Sequence, residues 1–200
     1  MLTIEQAKRE LNIAVQNNPG PWEQHSLVTA DNAMRIAEKA GMDPEKAYIM
    51  GLMHDIGRRE GVTGMRHVID GYTYMMELGE PELAVICLTH SFASQNVEHF
   101  EGKHDCTSEQ KAFIKAFVEN REYDDYDKLI QLCDALSLPT GACLVEKRFV
   151  DVALRYGVQD YTTTRWRAFL GLKKYFDNLC GCNIYTLLPG IIENSMTNLI

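Results

Sequence analysis

Three largely apolar stretches of this chain end in, or are interrupted by, side chains that could do chemistry. The run Ala47 to Met53 ends by presenting His54 beside Asp55, the run Leu83 to Thr89 closes on His90, and Asp134 sits in the middle of Leu129 to Leu138. His25 and His67 stand near the starts of two further segments. Burying an ionised carboxylate without a partner costs several kcal/mol, so Asp134 must meet a cation, take up a proton or point out of the core. One explanation covers all of these residues: imidazoles and carboxylates from several helices converge on a metal. Neutral imidazole nitrogen and carboxylate oxygen together suit iron, manganese, cobalt, nickel or zinc, whereas an oxygen-only set would suit magnesium or calcium. Taken singly, His67 or His90 reads more simply as a hydrogen-bonded core residue, and a lone core aspartate as a cap or ion-pair partner. The adjacent pair His54 and Asp55 needs two separate partners at an apolar helix end, and together with Asp134 it favours the metal.

The elements that must position these residues are helical nearly throughout. Thr3 with Gln6 resembles a capping box opening a helix to about Gln16, which Asn17 to Pro21 breaks. Apolar Leu27, Ala30, Met34 and Ala37 recur at helical spacing between Trp22 and Ala40, with Gly41 as the stop. Asp43 followed by Pro44 reads as an N-cap with proline in the first turn, opening a segment that runs to His54 and closes at Gly57. Further helices are expected over Thr63–Leu78, Pro81–His90, Thr107–Val118, Tyr126–Leu138, Leu144–Tyr156 and Thr162–Leu179. No β-alternating pairs stand out, so the expected class is all-α, a helical bundle with ligands in its core. The acidic stretch Glu119 to Asp127 reads as a solvated loop.

Composition bounds the function. With 200 residues, 46% of them apolar and 24% charged, the chain is expected to fold as one globular domain. A formal charge of −8 with no Lys/Arg-rich block argues against binding a nucleic-acid polymer, which takes many cationic phosphate contacts. The N-terminus lacks the apolar run of a signal peptide and no stretch approaches the ~20 apolar residues of a membrane span, so the expected location is cytoplasmic. Six cysteines without paired CxxC spacing read mostly as small core residues.

The order His25, then His54-Asp55, then Asp134 on a helical background resembles the HD-domain superfamily of metal-dependent phosphohydrolases, whose signature is H…HD…D. His54-Asp55-Ile56-Gly57 reproduces the HDIG form of that signature. The resemblance covers about Trp22 to Leu138, leaving a helical extension over about 139–200. His67 and His90 stand where the two-metal branches add histidines. Their surroundings, Arg66 to Gly71 and Leu88 to Ser91, look like the bacterial HD hydrolases that split diadenosine tetraphosphate, although the residues after His90 depart from the His-Thr-Thr-Gly run of that group. The resemblance implies one or two divalent transition metal ions. His25, His54, Asp55 and Asp134 would hold the first, and Asp55, His67 and His90 the second, with Asp55 bridging.

The implied activity is hydrolysis of a phosphoester or phosphoanhydride in a nucleotide or small phosphorylated metabolite by a metal-activated water. The expected catalytic residues are Asp55 and Arg58, the latter as a bidentate phosphate contact, with Arg59 and Arg66 as weaker candidates. His99 and His104 lie in a polar loop, Glu98 to Asp105, and are expected to be exposed and not ligating, with the loop forming a rim or a lid over the substrate. Two rival readings are a di-iron oxygenase of the same fold and a non-catalytic module that binds nucleotide or metal. Trp166, Phe169 and Tyr175 read as core aromatics, and the segment from Leu144 as either the completion of the bundle or an interface.

Overall fold

The computed structural model describes residues 1–197. Its α-helices are α1 (Ile4–Asn17), α2 (Trp22–Ala40), α3 (Pro44–Met53), α4 (Arg66–Glu77), α5 (Pro81–Thr89), α6 (Ser108–Asn120), α7 (Asp125–Ala135), α8 (Val145–Tyr156), α9 (Thr162–Cys180) and α10 (Ile191–Met196). Short 3-10 turns and one small hairpin connect them, so the fold is all-α as expected. Local chemistry sets the ends. Thr3 and Gln6 form a reciprocal capping box on α1, and Gly41, at φ 73°, closes α2 by donating to Ala37 and Glu38 carbonyls. The Asp43 carboxylate accepts from the Glu45 and Lys46 amides at the start of α3, with Pro44 in its first turn.

Three expectations are corrected. The segment expected to start a helix at Thr63 stays irregular until Arg66, because Met65 donates its amide to the Lys103 carbonyl and Asp105 accepts from the Gly64 and Arg66 amides at 2.7 and 2.9 Å. A distant loop thus supplies the N-terminal cap of α4. The helix expected to reach Leu138 stops at Ala135, and Ser137–Leu138 pairs antiparallel with Gly141–Ala142 instead. Pro139 explains this, since it pushes the preceding residue into extended backbone and cannot donate to a helix.

The acidic stretch is not simply solvated either. Asp127 is fully buried, capping α7 with Asp124 while accepting from Thr89 Oγ1 at 2.8 Å and Arg121 Nε at 2.9 Å. That network ties the start of α7 to the end of α5.

One apolar core runs from Ala7 on α1 through α2, α3 and α7 to Phe169 and Phe176 on α9 and Ile191 on α10. The C-terminal helices therefore complete the bundle. A second cluster, including Val68, Leu88, Phe92 and Ile114, fills the space between α4, α5 and α6. All six cysteines are free and four of them are buried. No helix among the described residues is long and apolar enough to cross a membrane.

Candidate metal centre

Glycines let the ligand-bearing helices approach. A Cβ at Gly51 would lie 2.6 Å from the Ala30 Cα, so only glycine allows α3 to press against α2 at this point. That contact brings His25 of α2 and His54, just past the end of α3, together with Nε2 atoms 3.3 Å apart. Gly57 serves the same purpose toward α4: a Cβ there would meet the His67 carbonyl at 2.0 Å and the Gly71 amide nitrogen at 2.4 Å. Asp55, between α3 and the 3-10 turn Ile56–Glu60, adopts φ −102° and ψ 13°, in the bridge region between helical and extended backbone.

Asp55 stands at the centre of the cluster. Its Oδ2 lies 3.8 Å from His54 Nε2, while its Oδ1 lies 3.2 Å from His67 Nε2 and 3.5 Å from His90 Nε2. His67 and His90 approach each other to 3.1 Å through the same atoms. Asp134 of α7 joins from the far side, its Oδ1 2.9 Å from His25 Nε2. Within each of two groups, His25 with His54 and Asp55, and Asp55 with His67 and His90, ligand atoms lie within 4.8 Å of one another, and all five residues are buried. The sequence-singled residues His25, His54, Asp55, His67, His90 and Asp134 are thus brought together.

A single local device orients three of the imidazoles. His54, His67 and His90 each place Nδ1 on the carbonyl three residues earlier, Gly51 at 2.7 Å, Gly64 at 2.6 Å and Cys87 at 2.9 Å. With Nδ1 donating to the carbonyl, the Nε2 lone pair is left for the cluster. Burial pushes His54 down to about 4, and burial with the nearby Arg58 charge pushes His67 down to about 3, so both rings are neutral at pH 7. Burial opposes ionisation of Asp55, but Arg58 and the surrounding imidazoles hold its carboxyl well below the usual range. Asp134 is likewise held low, against its burial, chiefly by His25.

This donor set fits a divalent transition metal. Asp55 Oδ1 is buried with no hydrogen-bond partner among the described residues, although it belongs to an ionised carboxylate. Neutral imidazoles with outward lone pairs and carboxylates with free oxygens are what borderline divalent ions bind. α3 and α5 also point their C-terminal ends, the negative poles of their dipoles, at the cluster.

The cluster opens into a cavity of about 640 Å³. Arg58 lines it while its Nε donates to Asp55 Oδ2 at 2.5 Å. Arg59 and Arg66 do not line it: Arg59 stacks on the Tyr74 ring at 3.7 Å and Arg66 pairs with Asp70 at 2.9 Å. The polar loop does form a rim, contributing Phe100, Glu101, Gly102 and Lys103. His104 is exposed, and His99 stacks on Tyr161 at 5.0 Å, away from the cluster.

The remaining wall comes from α8 and α9, whose role sequence reasoning missed. Phe169 is in the core as expected and also borders the cavity, where Trp166 packs against the core beside Arg148, Arg155 and Arg165, whereas Tyr175, also expected in the core, is on the surface. The available signal was the spacing of Arg148, Val152 and Arg155 at i, i+4 and i+7, which sets them on one face of α8.

A helical bundle carrying two His/Asp groups that share one aspartate could hold metal in the way that sites built from facing helices do. The family model of the HD domain matches residues 22–138, more than half of the chain, and the chain belongs to that family. No curated protein and no solved structure matches it.

Proposed function

We propose that this protein is a metal-dependent phosphohydrolase that cleaves a phosphoester or phosphoanhydride in a nucleotide or small phosphorylated metabolite. The observation that carries the reading is Asp55, which turns one carboxylate oxygen toward each of two imidazole groups at the floor of an open cavity. His25, His54, Asp55 and Asp134 would hold one ion, and Asp55, His67 and His90 a second. Ions bound there supply a water nucleophile at neutral pH and offset the charge on phosphoryl oxygens. Arg58, fixed through its Nε to Asp55, offers its terminal amino groups to a phosphoryl oxygen. The buried imidazoles keep their Nδ1 protons on backbone carbonyls and so hold their Nε2 atoms in place throughout. Membership of the HD family, whose members are generally hydrolases, supports this reading.

The test is phosphate release under nitrogen from a panel of nucleotides, dinucleoside polyphosphates and phosphorylated metabolites. Each of iron, manganese, cobalt, nickel and zinc is supplied in turn. Release without oxygen that Asp55→Asn abolishes is the expected result. No release with any of these metals, or product formed only when oxygen is admitted, overturns it.

A further inference from the structure

The cavity wall that lies outside the HD-matched segment has a charge and composition of its own. Five cationic side chains line the cavity, Arg58, Lys103, Arg148, Arg155 and Arg165, against three carboxylates, Asp55, Glu101 and Asp134. In a protein of net charge −8, the cavity is positive before any metal binds. Arg58 and Arg165 have carboxylate partners, Asp55 and Glu101. Arg148 and Arg155 have no ion-pair partner among the described residues; Arg155 donates to the Asp151 backbone carbonyl at 3.3 Å and lies over the Tyr156 ring at 5.4 Å. They sit two turns apart on the cavity face of α8. Beside them Phe149 and Trp166 stack at 5.2 Å and 7°, and Phe169 packs on Phe149 at 6.1 Å. Burial and the neighbouring Arg148 charge hold Arg155 below its ordinary value, against the smaller opposing pull of Asp151 and Glu101, so the two guanidinium groups are not fully compensated.

We infer that Arg148 and Arg155 form a second anion subsite, so that the substrate carries a phosphate group besides the one presented to the His/Asp cluster, with its apolar planar part against Trp166 and Phe149. The inference rests on the proposed phosphohydrolase activity for the identity of the first phosphate, but the subsite itself is built by α8 and α9 alone. Guanidinium forks match phosphate oxygens bidentately, and indole is a good stacking surface for a base. The two phosphates could be linked as an anhydride or carried at separate positions of one nucleoside.

Binding to metal-free protein tests the subsite independently of turnover, because without ions Asp55 and Asp134 repel anions from the cluster. Calorimetric titration of the full chain, stripped with chelator, uses ADP, adenosine 3′,5′-bisphosphate and adenosine as probes. Both phosphorylated probes should bind and adenosine should bind at least about tenfold more weakly. Arg148→Gln and Arg155→Gln should each weaken the phosphorylated probes about tenfold or more and leave adenosine unchanged, while Arg148→Lys recovers part of the loss. A stronger response to one phosphorylated probe identifies the linkage. Affinities within twofold of wild type in both glutamine variants, at unchanged thermal stability, overturn the subsite. Loss of binding in these variants from a protein that releases phosphate from nothing would retain the subsite and reject the hydrolase.

Discussion

His67 and His90 bring their Nε2 atoms within 3.1 Å of each other although each places its Nδ1 on a backbone carbonyl. Two ring nitrogens that face each other with lone pairs repel, and an ionised Asp55 oxygen 3.2 Å from one of them adds to the repulsion. A shared cation converts this arrangement from unfavourable to favourable. Metal should therefore stabilise the fold strongly. At one hundred times its dissociation constant a ligand adds about 2.7 kcal/mol, which for a chain of this size raises Tm by about 5–10 °C. Differential scanning fluorimetry of chelator-stripped protein with added manganese or zinc should show this rise, and His67→Ala should reduce it.

Acid should destabilise the metal-free protein well before the carboxylates titrate. His54 and His67 stay unprotonated when folded down to about 4 and about 3, whereas an unfolded histidine binds its proton near 6.5. The unfolded state thus holds more protons between these values, so stability is full above pH 6.5 and falls as pH drops through that window, by up to about 1.4 kcal/mol per pH unit for each proton. Denaturant unfolding of stripped protein between pH 7.5 and 4.5 measures the slope. A flat profile would contradict the buried neutral rings.

Gly51 and Gly57 should be intolerant of even one methyl group. Each Cβ would fall within 2.6 Å of backbone that cannot step aside without moving a ligand helix. Gly57→Ala should cost about 1–3 kcal/mol through overpacking and weaken metal binding by displacing His67. Gly41→Ala is the control for a purely conformational cost, since a Cβ there meets nothing. Comparing metal affinity in the two variants separates the effects: Gly57→Ala should lose affinity and Gly41→Ala only stability.

Asp127 should matter for the centre although it touches no ligand. It holds Thr89, the residue before His90, and the buried Gln131 amide donates to the Thr89 carbonyl at 3.2 Å. Asp127→Ala removes the carboxylate that ties Thr89 and Arg121 together, leaving Thr89 Oγ1 only the Val85 carbonyl of its own helix and Arg121 the longer contact to Asp124, at a cost of about 1–3 kcal/mol. Thermal denaturation should register the loss, and a metal titration should weaken most at the His67 and His90 side.

The parts of this molecule legible in the sequence are those governed by local chemistry. Thr3 with Gln6, and Asp43 with Pro44, mark their helix starts because caps are short-range, and His54-Asp55 is visible because two ionisable groups interrupt an apolar run. The burial of Asp127 was not legible, since an acidic stretch looks solvated until Arg121 and Thr89 are folded onto it. Pro139 marks where α7 must stop, yet the pairing of Ser137–Leu138 with Gly141–Ala142 is not visible locally, and Asn32 of α2, distant in sequence, donates to the Leu136 carbonyl and Ser137 hydroxyl beside it at 3.3 and 3.0 Å. Phe169 is the core residue its spacing suggests; only the packing of α9 shows that it and Trp166 also border a cavity.

If two metal ions share Asp55, the loss of one ligand changes how many ions the chain holds, and elemental analysis measures this directly. Protein purified without chelator, or reconstituted with manganese, is assayed by elemental analysis alongside His67→Ala and Asp55→Asn. Two ions per wild-type chain, one in His67→Ala and fewer than one in Asp55→Asn are predicted. Two ions retained in Asp55→Asn, or none in the wild type under any loading condition, would contradict it.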